Sequence, residues 1–313
     1  MNKSLYSIIV PVYKSTKSLK ELSLRTKSVF HGIEGADYEL IFINDSPFSV
    51  DTARSLEELC ENDGKVIVIE LMKNFGQQAA TLSGIEHASG DYLITMDDDL
   101  QHAPEDITHL IKKRDHDVVI ARFKGKKHSL FKRMMSEIKS YFDHIILGKP
   151  KHIKLTSFRL IRAEIAKLMF KRKTPYPFIP ALLFSITDDI ENVEIEHHAR
   201  NDGSSNYTFV KMLQVFSNLI INHSSFFLRV IGYIGILIAL LSAVSTVVIV
   251  ANKLIYGVSV AGWTSIMLLI LFFGGMTMFT LGIIGEYLLR IIATTEERPV
   301  SYVRKITKGK QAR

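Results

Sequence analysis

The chain has 313 residues, 47% of them hydrophobic, a formal net charge of +7 and a single cysteine. One cysteine excludes an intrachain disulfide and any cysteine-built metal centre. The length suits one sizeable α/β domain plus a further element, and a mean hydropathy of +0.15 is high for a purely soluble enzyme.

Met1 to Tyr6 is polar and passes straight into Ser7-Ile8-Ile9-Val10 without a signal-peptide pattern, so the N-terminal domain is expected on the side of synthesis. Apolar runs predict strands over Tyr6–Val12, Tyr38–Ile43, Val66–Leu71 and Asp117–Ala121, with a shorter one over Asp91–Met96. Between them, helices are expected over Ser18–Phe30, Asp51–Glu61, Gln77–Ala88 and Glu105–Arg114. Cys60 falls on the second helix as a small core residue. Strands alternating with helices of this length predict an α/β fold with a mostly parallel sheet. Polar groups follow three strand ends, Tyr13-Lys14, Asn44-Asp45 and Asp97-Asp98-Asp99. A nucleotide site at a sheet edge needs that convergence. Neither G-x-G-x-x-G after the first strand nor G-x-x-x-x-G-K-[ST] anywhere is present, which argues against dinucleotide oxidoreductases and P-loop ATPases.

In an extended chain, alternate side chains share a face. Asp97, Asp99 and Gln101 therefore form one row, while Asp98 faces away toward the nucleotide or the scaffold. Hard oxygen donors on one side suit Mg²⁺ or Mn²⁺ carrying substrate phosphates. The absence of a glycine-rich phosphate cradle strengthens that reading. A plainer alternative is a solvated acidic turn that caps the following helix.

From Lys124 the chain turns basic. The pattern over about 130–147 predicts an amphipathic helix, lying either in the lipid headgroup layer or on the domain surface. A second amphipathic helix is expected over 207–228 and, being next to the apolar segments, is read as interfacial. No charge occurs from Val230 to Asn252 or from Leu254 to Gly285, so two transmembrane helices are expected within 229–289. Residues 290–313 then form a basic tail, against Lys253 alone in the connector, which puts both termini on the cytoplasmic side. Beside two spans, the positive charge points to anionic membrane lipids and not to nucleic acid.

Several segments occur in an order that carries a resemblance. They are Val10-Pro11-Val12-Tyr13, Lys73-Asn74-Phe75-Gly76-Gln77-Gln78-Ala79-Ala80, Asp97-Asp98-Asp99-Leu100-Gln101-His102 and Ser157-Phe158-Arg159-Leu160. The set Arg200, Gly203, Ser205 and Tyr207 follows, then Gly285-Glu286-Tyr287-Leu288 and Arg298-Pro299. Together they resemble the family 2 glycosyltransferases, and within them the polyprenyl-phosphate glycosyltransferases, over nearly the whole chain.

The resemblance implies a GT-A-type catalytic domain over 1–206 in a multi-pass protein of the bacterial inner membrane. The implied reaction is inverting transfer of a sugar from a nucleotide sugar to polyprenyl phosphate. Assembly into a homo-oligomer through the membrane region is also implied. By the same resemblance, Asp97, Asp99 and Gln101 hold the metal, and Pro11, Tyr13, Asp45 and Lys73 line the nucleotide pocket together with Asp98. Arg122, Arg200 and Ser205 contact phosphates, with Arg122 and Arg200 joining Asp97 and Asp99 as catalytic residues that screen two anions from each other. Lys132, Arg133 and Ser136 fall near the lipid-phosphate contact. An acceptor phosphate, ionised with a second pKa of ~6, needs little help from a general base. The chain departs from the family pattern at Lys14, Ser15, Ser46, Pro47, Ser157 and Asn206, which leaves a non-catalytic membrane adaptor as the alternative.

Overall fold

The computed structural model describes residues 3–124, 149–150, 152–171, 177–196, 255, 262–295 and 299–309. The chain divides into two compact units, Met1–Tyr207 with Glu297–Arg313, and Thr208–Glu296. The first unit begins with β1 (Ser4–Val12), α1 (Lys17–His31), β2 (Ala36–Asn44), α2 (Val50–Asn62), β3 (Val66–Leu71), α3 (Gln77–Glu86) and β4 (Tyr92–Thr95). A one-turn 3-10 helix (Pro104–Asp106) leads into α4 (Ile107–Ile111), followed by β5 (Val118–Phe123), β6 (Arg159–Arg162), α5 (Ala163–Lys171), α6 (Ile179–Phe184) and β7 (Ile190–Ile195). The second unit contributes α7 (Trp263–Thr295), and the chain then returns to the first unit as β8 (Val303–Lys308).

Among the described residues, eight strands form one sheet in the order β7-β5-β6-β4-β1-β2-β3-β8. Neighbours β3, β2, β1 and β4 run parallel, as do β5 and β7. β6 is antiparallel to both β4 and β5, and β8 is antiparallel to β3. This is the expected α/β fold with a mostly parallel sheet. Alternation along the strands feeds two cores. Tyr6, Ile8, Val10, Leu40 and Phe42 meet Leu19, Leu22, Leu56, Cys60 and Leu110 on one face. Ile9, Ile41, Ile43 and Ile69 meet Ala80, Leu82, Ile85, Ile165 and Leu182 on the other. Cys60 is buried, as its pattern predicted.

Three features differ from the expectations. The helix predicted over Glu105–Arg114 shortens to the 3-10 turn plus α4, because Lys112-Lys113-Arg114 has no apolar face to bury. β6, β7 and β8 carry charged residues and give no continuous apolar run. The segment read as part of a basic tail supplies β8, with Ile67↔Lys308 and Ile69↔Ile306 in register and the Gly309 amide donating to the Val66 carbonyl at 2.8 Å. A side chain at Gly309 would meet the Asp63 carbonyl oxygen at 2.1 Å, so this backbone is packed tightly against the end of α2.

α7, described by itself, has 33 residues, about 50 Å at the helical rise. Its Ile266, Leu269, Ile270, Leu281, Ile284, Leu288 and Ile291 are exposed. The Thr277 and Thr280 hydroxyls donate back to the Phe273 and Met276 carbonyls, which leaves no free hydroxyl hydrogen on either. Over the described residues, no helix is long and apolar enough to cross a membrane. The first expected span and both expected amphipathic helices lie outside the described residues.

Candidate active site

The carboxyl ends of β1, β2 and β4 and the start of α3 surround a cleft of about 840 Å³. Pro11, Tyr13, Asp45, Asp97, Asp98, Asp99 and Gln101 all line it, together with Lys14, Ser15, Asn74 and Gln77. Seven residues singled out from sequence are thus brought to one place.

Two backbone positions in left-handed conformation shape the walls, Lys14 (φ 58°) and Leu100 (φ 60°). Such a conformation costs a non-glycine residue about 1–2 kcal/mol. At Lys14 it is held by the backbone N–H, which donates to Ser46 Oγ at 3.0 Å, while Ser46 Oγ donates to Asn44 Oδ1 at 3.1 Å. At Leu100 the side chain is anchored in the core, and the turn lets the Gln101 N–H donate to Asp99 Oδ1 at 3.1 Å.

Asp97 is fixed from both sides. Gln77 Nε2 donates to its Oδ1 at 2.6 Å and Ser157 Oγ to its Oδ2 at 2.7 Å. Thr95 Oγ1 in turn donates to the Ser157 carbonyl at 2.6 Å, across the β4–β6 pair. Behind Asp97, His102 stacks on Phe158 and Phe123 with centroids at 5.1 and 5.7 Å. Burial pushes the imidazole below its ordinary range, against the pull of Asp97 and Asp99. The ring is therefore neutral and accepts the Asp97 N–H at Nδ1 over 3.3 Å, so its 3.7 Å approach to the Asp97 carboxylate is not an ion pair.

Asp98 is raised to about 6, first by burial and then by Asp99 and Asp97, while the Ser15 hydroxyl and the Tyr13 amide oppose the shift. Asp98 lines the same cleft as Asp97 and Asp99 instead of facing away from them, and it meets the Ser15 hydroxyl and the Tyr13 amide. Asp45 is buried and receives the Phe75 N–H at 2.7 Å and the Gly76 N–H at 2.9 Å. Burial raises its pKa and these two amides counter the rise. One carboxylate thus ties the end of β2 to the β3–α3 loop.

Other expected residues fall elsewhere. Lys73 is exposed and does not line the cleft; its Nζ lies 5.3 Å from the Phe75 ring. Arg122 pairs with Glu194, its register neighbour on β7. The physical reason is register, since β5 and β7 run parallel with Arg122 and Glu194 opposite each other. Arg200, Lys132, Arg133, Ser136 and Ser205 lie outside the described residues.

Four contributors were not foreseen. Gln77 was read as a helix start and part of a family-like segment, and Ser15 and Ser157 as departures from the family pattern, none of them with a role in the site. The fourth, Arg159, is 4% exposed on β6, and its Nε and Nη1 find no acceptor among the described residues. Burial lowers its pKa to about 10 against the pull of Asp97, so it remains a cation at neutral pH. The run Gln77-Gln78 after Gly76 was the available signal for the first of these.

The sequence of residues 7–170 matches the family description "Glycosyl transferase family 2". The chain belongs to glycosyl transferase family 2. Within that family, it is 32% identical over 301 residues to the glycosyltransferase CsbB of Bacillus subtilis (strain 168), covering 96% of this chain and 91% of that one. It is 30% identical over 307 residues to the undecaprenyl-phosphate 4-deoxy-4-formamido-L-arabinose transferase of Klebsiella pneumoniae (strain 342), covering 96% and 93%. Among solved structures, glucosyl-3-phosphoglycerate synthase from Mycobacterium tuberculosis, in complex with Mn²⁺, UDP-glucose and phosphoglyceric acid, superposes with a TM-score of 0.50. The identity is 13%, with 70% of this chain and 78% of that one covered, and the likeness shows a shared fold. As a family 2 glycosyl transferase, the protein is an enzyme that transfers sugars.

Proposed function

We propose that the protein transfers a sugar, with inversion, from a nucleotide-sugar donor to a polyprenyl phosphate at the cytoplasmic face of the bacterial inner membrane. The observation that carries this reading is the single cleft joining Asp97, Asp99 and Gln101 to Pro11, Tyr13 and Asp45. Similarity over 96% of the chain to an enzyme named as an undecaprenyl-phosphate transferase supports the acceptor class.

The donor set fits a divalent cation. Asp97 and Asp99 offer carboxylate oxygens and Gln101 an amide oxygen, all hard ligands for Mg²⁺ or Mn²⁺. Among the described residues, each Asp97 oxygen accepts one hydrogen bond, and a carboxylate carries about four lone-pair sites. Among the described residues, no group of three or more His, Cys, Asp or Glu side chains is set to hold a metal by itself. Diphosphate and water oxygens would therefore complete the shell, as is usual for Mg²⁺ at phosphate sites. A bound cation there supplies charge neutralisation for the departing diphosphate. The protein's own part is orientation: Gln77 and Ser157 aim Asp97, Asp45 holds the Phe75–Gly76 backbone, and the Tyr13–Ser15 turn closes over Asp98.

A non-catalytic adaptor is not favoured. Three departures that had left room for it donate or accept within the site: Ser15 at Asp98, Ser46 at Lys14 and Ser157 at Asp97.

Membrane attachment belongs to the same proposal. The α7 sequence is charge-free from Trp263 to Gly285, and apolar side chains along the helix are exposed. β8 follows α7 in the chain and pairs with β3, which precedes it, so both strands lie on one side of any bilayer. An even number of crossings must separate them. That supports a second span within 229–252 and a topology with both termini cytoplasmic; self-association through the membrane region is part of the proposal by family resemblance alone.

The decisive experiment incubates membranes containing the protein with labelled sugar nucleotides, polyprenyl phosphate and Mg²⁺ or Mn²⁺. Butanol-extractable label from one donor is expected, falling by about 100-fold or more in Asp99→Ala. No labelled lipid from any donor, or full activity in Asp99→Ala, would end this reading.

A further inference from the structure

The β3–α3 loop, residues 72–76, is gripped from two sides. From within, Asp45 accepts the Phe75 and Gly76 amides, while Asn74 and Gly76 face the cleft and the adjoining Gln77 binds Asp97. From outside, the grip comes from residues 302–304. The Tyr302 carbonyl accepts the Met72 N–H at 2.8 Å, and the Tyr302 ring lies 6.1 Å from the Phe75 ring at 45°. Next to it, the Arg304 guanidinium reaches the Met72 carbonyl at 3.4 Å and the Glu70 carboxylate at 3.3 Å, and lies 5.7 Å from the Phe48 ring. The β3–β8 register slips between Glu70 and Leu71, where the ladder gives way to this loop.

We infer that Tyr302 is a positioning residue for the donor cleft, holding the β3–α3 loop so that Phe75, Gly76 and Gln77 keep Asp45 and Asp97 in place. The inference rests on the proposed donor cleft. Hydrogen bonds to a carboxylate are directional, and displacements near 1 Å in a supporting segment can cost a site its productive geometry. Tyr302 is 53% exposed, so removing its ring deletes little core. Gly76, at φ 87°, lies where the loop enters α3 and gives the backbone a conformation that only glycine adopts without strain, so the outer contacts have a pliable segment to hold.

The test uses the full chain in lipid nanodiscs. Amide hydrogen exchange is measured over residues 72–78, and UDP, GDP and dTDP are titrated with Mn²⁺. In Tyr302→Ala, exchange at Phe75 and Gly76 is expected to quicken, and the Kd of the bound nucleotide to rise, each by about tenfold. Exchange in β1 and β2 stays unchanged, and Tyr302→Phe behaves as wild type. Exchange quickened evenly across the sheet would mean a purely structural role, and an unchanged loop or an unchanged Kd would equally overturn the inference. If the wild-type chain binds none of the nucleotides, the donor-cleft reading falls and this inference falls with it. If it binds one and Tyr302→Ala binds it equally well, only the inference falls.

Discussion

Asp98 lies between two carboxylates, under the Ser15 hydroxyl and the Tyr13 amide, with burial as the main cause of its pKa near 6. Its ordinary value is 3.8, so the folded state holds this proton more tightly than the unfolded chain does. The associated stability is fully present below about pH 4 and is lost as pH rises through about 6. Asp98→Asn removes that dependence. In metal-free protein, the variant should gain on wild type between pH 4 and 7, by on the order of 2 kcal/mol, read as a widening gap in Tm. A gap that stays constant would show that Asp98 is not strained by its surroundings. At this scale the acidic row was legible because its members are consecutive in sequence. Gln77 and Ser157 were not, since they reach Asp97 from positions 20 and 60 residues away. Ser157 was also masked by its reading as a departure from the family pattern, although its hydroxyl donates to Asp97.

Among the elements, α3 is packed tightly against the sheet at Gly84. A Cβ there would fall 2.5 Å from Ile9 Cγ2 and 2.6 Å from Ile43 Cδ1. Gly84→Leu is therefore expected to push α3 off β1 and β2 and lower stability by about 1–3 kcal/mol, measured by urea unfolding of the full chain in detergent. Because α3 begins at Gln77, activity should fall as well. A neutral Gly84→Leu would mean that the helix can slide without consequence. The strands packed beneath it were easy to find. β1, β2 and β3 are buried by helices on both faces and read as nearly unbroken Ile, Val and Leu runs. The sheet margins were not. β8 reads Val-Arg-Lys-Ile-Thr-Lys and β7 Ile-Glu-Asn-Val-Glu-Ile, the charged composition with which edge strands resist pairing with other chains. In sequence such a strand looks like a solvated tail. β6 has only four residues and an arginine at each end, too short to stand out.

For the whole molecule, the pairing of β3 with β8 predicts topology. A reporter fused after Arg313 should read cytoplasmic, as should one placed at the N-terminus. A periplasmic reading at one end alone would require β8 to be absent from this sheet. The same pairing sets an order of assembly. Most of the sheet is made before α7 is translated, but the outer wall of the β3–α3 loop is made after it. During synthesis the cleft is therefore incomplete while α7 is still emerging. A nascent chain halted before Tyr302 would carry the acidic row yet lack the segment that braces its neighbouring loop. On that reading, the segment leading into β8 delays completion of the proposed donor cleft until the apolar helix has already been made.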